Sequence, residues 1–178
     1  KPLVRQAILL TQKYDVVITN PPYMAPDAIQ KPYVQKYYPD SKSDLFAVFI
    51  EKCHDVIKPN AYQAMITMHS WMFLSSFEKL RTKLLKDNTI INMAHLGARA
   101  FEEIGGEVVQ TTTFIFNNAY VKDYNSTFKR LVDYNSQDSK ENAYLGDGNL
   151  YHSSSTNFSK ITGSPIAYWL SENAADYC

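Results

Sequence analysis

The residues best suited to chemistry in this sequence are contiguous: Asn20-Pro21-Pro22-Tyr23. Each proline fixes its own φ, lacks an N–H, and drives the residue before it into extended geometry, so the pair predicts a stiff loop. The loop offers a side-chain amide, backbone carbonyls that no helix can absorb, and an aromatic ring. This combination is suited to holding a flat group that carries an amine.

The element that must position this loop is the run directly before it, Tyr14-Asp15-Val16-Val17-Ile18-Thr19. A short apolar run of this kind is typical of a fully buried strand in a parallel sheet. Open α/β sheets bind their ligands beyond the carboxyl ends of the strands. The sequence therefore predicts a ligand site that begins at Asn20.

The four-residue loop resembles the catalytic motif of S-adenosylmethionine-dependent N6-adenine DNA methyltransferases. The same family's order continues with Ser43-Asp44-Leu45-Phe46 opening a helix, Ala64-Met65-Ile66-Thr67 as a strand, and then Gly105-Gly106-Glu107-Val108-Val109-Gln110-Thr111-Thr112. From Lys42 to Thr113 the sequence is especially similar to the large methyltransferases of bacterial phage-resistance (BREX) systems. The resemblance implies methyl transfer to N6 of adenine in DNA, in restriction-modification or phage defence.

The resemblance assigns the catalytic motif to Asn20, Pro21, Pro22 and Tyr23. The exocyclic amine of adenine is a poor nucleophile because its lone pair is delocalised into the ring. In the family, the Asn20 side-chain oxygen and the Pro21 carbonyl would accept its two hydrogens and localise that pair, which is catalysis by positioning and electrostatics. Tyr23 and Phe101 would stack on the two faces of an adenine flipped out of the duplex.

The resemblance also implies that Asn20, Asp44, Leu45 and Phe46 border the cofactor, S-adenosylmethionine. No glycine occurs before Gly97, so the first half of the chain has no glycine-rich loop to receive the cofactor. In this family that loop lies upstream of the catalytic motif. We therefore interpret the chain as a fragment lacking the upstream cofactor motif, and expect it to be inactive alone and to bind the cofactor weakly or not at all.

The expected fold class is α/β: the carboxyl-terminal, catalytic half of a Rossmann-like methyltransferase sheet with flanking helices, spanning residues 1–135. A helix capped by Asp44 and stopped by Pro59, and a helix opened by a Ser75/Glu78 capping box, separate the predicted strands. Those strands comprise residues 14–19, 62–68, 89–96 and 108–116. Residues 128–134 are expected to form an extra edge strand outside the main sheet, and residues 136–178 a polar extension and linker toward an absent target-recognition region.

Composition limits the remaining classes. Net charge is zero, with 18 basic and 18 acidic residues, which predicts weak binding of DNA by this piece alone. The four histidines have no partners at metal-ligand spacing, so no metal site is expected. Two cysteines, Cys53 and Cys178, are interpreted as free thiols of a cytoplasmic protein, and no run approaches the ~20 apolar residues that span a membrane.

Two alternatives stay open at this point. The same motif occurs in methyltransferases that act on protein glutamine or on RNA adenine, since an amide nitrogen poses the same chemical problem. The chain could also be a non-catalytic DNA-binding or scaffolding fragment. The expected partners are DNA with a flipped adenine and other subunits of a defence system.

Overall fold

The computed structural model describes residues 1–101 and 109–170. Within these ranges six strands form one mixed sheet in the order β1-β2-β4-β3-β5-β6. β1 is parallel to β2, β4 lies antiparallel between β2 and β3, β5 is parallel to β3, and β6 is antiparallel to β5. The strands are β1 Tyr14–Thr19, β2 Ile57–Met68, β3 Thr89–Gly97, β4 Thr111–Asn117, β5 Ser126–Arg130 and β6 Leu150–Ser153.

The helices between β1, β2 and β3 pack against one face of the sheet. α3 and α4 link β1 to β2 and β2 to β3, with short 3-10 turns at His69–Met72 and Ser75–Phe77 before α4. No helix among the described residues is long and apolar enough to cross a membrane. The helices are α1 Pro2–Thr11, α2 Lys31–Tyr37, α3 Leu45–Val56, α4 Glu78–Asp87, α5 Gln137–Leu145 and α6 Ser155–Ser159.

The main core lies between the sheet and α3 and α4. Aromatic and aliphatic side chains from β2, β3, β4 and β5 meet the buried faces of these helices there. Side chains from residues 158–168 belong to the same core as the strands and helices before residue 135. The domain division at residue 135 stays a prediction. Core members include Phe46, Ile50, Met65, Trp71, Leu80, Leu84, Met93, Phe114, Phe116, Phe128, Phe158, Ile166 and Tyr168.

The expectation that the first strand is fully buried is wrong. In the described sheet β1 lies at the edge and pairs with β2 alone, and its Val16 and Ile18 are 50% and 77% exposed. Helix α1 likewise has no buried residue, so it does not cover the strand. An apolar run indicates that a strand favours burial, but burial also needs another element to pack on it. No described element covers the exposed side chains of β1.

Two further expectations are corrected. Ser75 and Glu78 form no capping box, because buried Phe77 occupies the N-cap position of α4 and no side chain caps it. The strand expected at 128–134 outside the main sheet is β5, Ser126–Arg130, which belongs to that sheet because it pairs with β3 and β6. Its fully buried Phe128 stacks on Tyr168 at 4.7 Å.

Two other segments also differ from expectation. The polar stretch after residue 135 includes α5, opened by a Ser136/Ser139 capping box. α3 ends at Val56, and Pro59 lies inside β2 rather than stopping the helix. The Gly105-Gly106 turn, Val108 and Cys178 lie outside the described residues.

Candidate active site

The Asn20–Tyr23 loop lies at the carboxyl edge of the sheet, as the sequence predicts. β1 runs parallel to β2 with Ile18 opposite Ala64 and Thr19 opposite Met65, so the chain leaves the sheet directly at Asn20. Asn20 is exposed and Pro21 is buried. Neither the Asn20 amide nor the Pro21 carbonyl hydrogen-bonds another residue of the described chain. Both acceptors are therefore free to bind a ligand.

Tyr23 is fixed by two contacts. Its hydroxyl donates to the Ile66 carbonyl of β2 at 3.1 Å, and its ring meets Phe46 edge to face with centroids 6.3 Å apart. Burial raises the pKa of Tyr23 to about 12, so the hydroxyl stays protonated and keeps donating at neutral pH. The ring is thus held beside the loop as an aromatic surface, and its hydroxyl serves as an anchor.

Asp44 joins this loop to helix α3. Its Oδ1 caps the helix by accepting from Phe46 N at 3.2 Å, and the same oxygen accepts from Met24 N at 3.1 Å. Leu45 N donates back to the Met24 carbonyl at 2.9 Å. Burial raises the pKa of Asp44, and the backbone N–H groups of Phe46, Met24 and Leu45 oppose that rise. The residue after the catalytic motif is therefore clamped to the start of α3.

The cofactor-bordering residues of the prediction meet here. Leu45 and Phe46 are buried, and Phe46 packs on Phe77 with centroids 5.6 Å apart, so both build the floor of the site. Their direct contact with S-adenosylmethionine stays a prediction.

Phe101 makes no direct ring contact with Tyr23 in the part of the chain that the structure describes. It is half-buried in a bend after β3. The residues that follow it, 102–108, lie outside that part. The role of Phe101 as the second wall for a base stays a prediction.

A cleft of about 470 Å³ begins at Asn20 and extends along the bare face of the sheet. Its walls are the outward side chains of β1, β2 and β4, with Tyr144 of α5 at the far end. The cleft is mainly apolar, so it extends the site without adding charged groups. Its lining includes Ile18, Asn20, Ala64, Ile66, Thr113, Ile115 and Tyr144.

Sequence reasoning missed a histidine pair formed by His69, directly after β2, and His95, near the end of β3. His69 Nδ1 lies 2.7 Å from His95 Nε2, and His95 Nδ1 lies 3.1 Å from the Tyr168 hydroxyl. Burial, followed by the charges of His69, Arg130 and Lys140, lowers the pKa of His95 to about 3, and burial also lowers the pKa of His69. Both rings are therefore neutral at physiological pH. The histidines lie 26 residues apart, so no local spacing could have revealed them.

No group of three or more His, Cys, Asp or Glu side chains able to hold a metal ion occurs among the described residues.

Residues 5–101, more than half of the chain, match the family of Eco57I restriction-modification methylases. The chain belongs to this family. The matched residues of this Eco57I-family chain include the Asn20–Tyr23 loop, Asp44 and β2, so the resemblance drawn from those motifs is confirmed.

Two curated relatives are similar over almost the whole chain. The adenine-specific methyltransferase PglX of Lacticaseibacillus casei (strain Zhang) is 51% identical over 179 residues, covering 96% of this chain and 15% of the relative. The adenine-specific methyltransferase BrxX of Escherichia coli O9:H4 (strain HS) is 48% identical over 172 residues, covering 94% of this chain and 14% of the relative. This Eco57I-family chain thus spans 15% or less of the length of these relatives.

A solved structure confirms the fold class. The methyltransferase subunit of a type I restriction-modification system from Streptococcus thermophilus superposes with a TM-score of 0.61 at 14% identity, over 89% of this chain and 38% of that subunit. At this identity the likeness of the Eco57I-family chain to that subunit extends to the fold alone.

Proposed function

We propose that the full-length protein containing this chain transfers a methyl group from S-adenosylmethionine to N6 of adenine in DNA, in a restriction-modification or phage-defence system. The observation that carries the proposal is the pair of unengaged acceptors, Asn20 and Pro21, beside the anchored ring of Tyr23 at the carboxyl edge of the sheet. Membership of a restriction-modification methylase family supports DNA as the substrate.

The chain's own residues would act by positioning. The Asn20 side-chain oxygen and the Pro21 carbonyl accept the two N6 hydrogens and direct the nitrogen lone pair outward. Tyr23 stacks on the base, which offsets part of the unstacking cost by about 1–3 kcal/mol. Phe101 is proposed as the second stacking residue, and Pro22 holds the loop stiff.

S-adenosylmethionine, when bound, supplies the electrophilic methyl group. We place it against Asn20 and the start of α3, where Asp44 orients the loop and Leu45 and Phe46 form the apolar floor. The flipped adenine, further defence-system subunits and a cytoplasmic location belong to the same proposal. The domain reading, with residues 1–135 catalytic and 136–178 leading toward target recognition, is likewise proposed.

The decisive variant is Asn20→Ala in the full-length protein. Removing one of two acceptors aimed at the reacting nitrogen is expected to lower methyl transfer by about 10²–10³-fold, the cost of a deleted transition-state hydrogen bond. Asn20 is exposed, so its truncation leaves the core intact. Labelled-methyl transfer to unmethylated duplex DNA, read out as N6-methyladenine, measures this loss.

Parallel reactions with RNA and with a glutamine-bearing protein separate the alternatives. Label in RNA or protein and none in DNA would move the same site to another substrate. Full activity in the Asn20→Ala variant would sink the catalytic assignment, and a wild-type protein that transfers no label to any acceptor would favour the scaffolding alternative.

A further inference from the structure

The segment between the catalytic loop and α3 begins and ends at the site. Met24 directly follows Tyr23, and it is joined to Asp44 and Leu45 by hydrogen bonds of 3.1 and 2.9 Å. Residues 24–44 therefore form a closed loop whose two ends meet beside the proposed catalytic residues. Helix α2 lies within this loop.

Helix α2 is held firmly on α3. Val34 and Tyr38, 4% and 8% exposed, pack with Val48 of α3 in a small core separate from the main one. The Ser41 hydroxyl donates to Glu51 of α3 at 2.8 Å, and Lys83 of α4 donates to the other Glu51 oxygen at 3.0 Å. Val48 and Glu51 of α3 thus fix the segment, so its outer surface is presented in a defined orientation.

The outer surface of α2 is aromatic and basic. Tyr33 and Tyr37 are 58% and 53% exposed with ring centroids 4.7 Å apart, and Lys36 Nζ lies 4.8 Å from the Tyr37 centroid. Residues 28–38 include Lys31 and Lys36 and no acidic residue, in a chain whose net charge is zero. Neither lysine makes an ion pair within the described residues. We call Lys31, Tyr33, Lys36 and Tyr37 the α2 patch.

We propose that the α2 patch binds the strand backbone of the DNA substrate, Lys31 and Lys36 at phosphates and Tyr37 against an adjoining base or sugar. The inference rests on the proposed function and adds a contact surface to it. Exposed aromatic rings next to lysines that make no ion pair are the arrangement that binds single-stranded or distorted nucleic acid without reading its sequence. Positive charge beside exposed aromatic surface complements a polyanion better than it complements a neutral protein surface.

The lysines are tested in the full-length protein with the double variant Lys31→Ala/Lys36→Ala. Binding of a fluorescein-labelled duplex is followed by anisotropy over a salt series. Each lost phosphate contact lowers the slope of log affinity against log salt by about 0.9, so the double variant is expected to lose about 2 from the slope. Lys79→Ala/Lys86→Ala, two exposed lysines of α4 outside the patch, is the matched control and should keep the wild-type slope.

Tyr37 is tested by Tyr37→Ala against Tyr37→Phe. The alanine variant should raise the KM for DNA about tenfold with little change in kcat, since a contact made equally in ground and transition states affects binding alone. The phenylalanine variant keeps the ring and should behave as wild type. If Tyr37→Ala lowers the melting temperature, its effect on KM no longer reports on binding alone. The double lysine variant then tests the patch, because both lysines are exposed and their truncation leaves the core intact.

A wild-type enzyme that methylates DNA while the double lysine variant keeps its salt slope and affinity would overturn the role of the patch and leave the proposed function standing. A wild-type enzyme that methylates no DNA would overturn the proposed function instead.

Discussion

Replacing Asp44 tests whether the catalytic loop is positioned by the cap of α3. Asp44→Ala removes one oxygen that serves Phe46 N inside the helix and Met24 N in the loop. Asp44→Asn keeps an oxygen at the same place and removes only the charge, and asparagine caps helices as well as aspartate. The pair therefore separates the acceptor from the carboxylate.

The expected magnitude follows from the two bonds. Loss of the cap costs about 1 kcal/mol. The second bond lost is the one from Met24 N. Because Met24 is 57% exposed, water can reach the freed N–H, so losing this bond costs about 1 kcal/mol, near the lower end of the range for a donor left without a partner. The sum, about 2 kcal/mol of local opening free energy, should speed amide exchange in residues 20–50 by about 30-fold.

Hydrogen exchange of the full-length protein measures this change, and methyl transfer measures its consequence. Asp44→Ala should lose at least tenfold in kcat, because a loop displaced by about 1 Å misaligns both acceptors. Asp44→Asn should keep wild-type exchange and most activity. Burial raises the pKa of Asp44 above its ordinary 3.8, so wild-type local stability falls as pH rises through that pKa, whereas Asp44→Asn lacks this dependence.

The reasoning fails if Asp44→Asn loses as much transfer as Asp44→Ala while its exchange stays normal. That result would mean that the carboxylate charge itself contacts a ligand. It fails equally if Asp44→Ala leaves both exchange and transfer unchanged.

Three further predictions follow from other contacts. Tyr23→Phe loses only the hydrogen bond to the Ile66 carbonyl, about 1 kcal/mol, and should retain most methyl transfer. Tyr23→Ala also loses the ring, so its rate of methyl transfer should fall more than tenfold. Equal activity of the two variants in the labelled-methyl assay would contradict the stacking role. Because the pKa of His95 falls from 6.5 unfolded to about 3 folded, its contribution to stability is complete above pH 6.5 and declines on acidification, by about 2 kcal/mol at pH 5. His95→Gln should flatten that loss, as read by exchange in β3, and an unchanged pH profile would refute it. Arg81→Met leaves the carbonyls of Trp71, Leu74, Gly163 and Ser164 without their donor, which should cost more than about 3 kcal/mol and expose residues 160–168 to protease, while Lys79→Met should not.

The backbone features around the candidate site were largely predictable because they are local in sequence. Two prolines after an apolar run specify a stiff loop at a strand end, and Asp44 two residues before Phe46 specifies a helix cap. Neither inference needs a distant contact. The same local reasoning failed at Ser75, where burial of Phe77 outweighed the capping pattern.

Features that depend on distant contacts were out of reach. The second bond of Asp44, to Met24, spans 20 residues, and the His69–His95 pair spans 26. The tail is polar in composition, yet its Phe158, Ile166 and Tyr168 belong to the main core. Phe128 packs against Phe158 and Tyr168, and Arg81 donates to the backbone carbonyl of Gly163 in the same segment. Composition averages over such a segment and hides its few apolar anchors.

The sequence by itself determined the family and the α/β class, because these are carried by short contiguous patterns whose backbone preferences are intrinsic. Only the tertiary structure decided that β1 lies exposed at the sheet edge, that Asp44 binds Met24 directly after the Asn20–Tyr23 loop, and that α2 presents Tyr33 and Tyr37 at the surface. Burial and hydrogen bonding between remote residues are properties of the packed chain, and no local pattern encodes which partners meet.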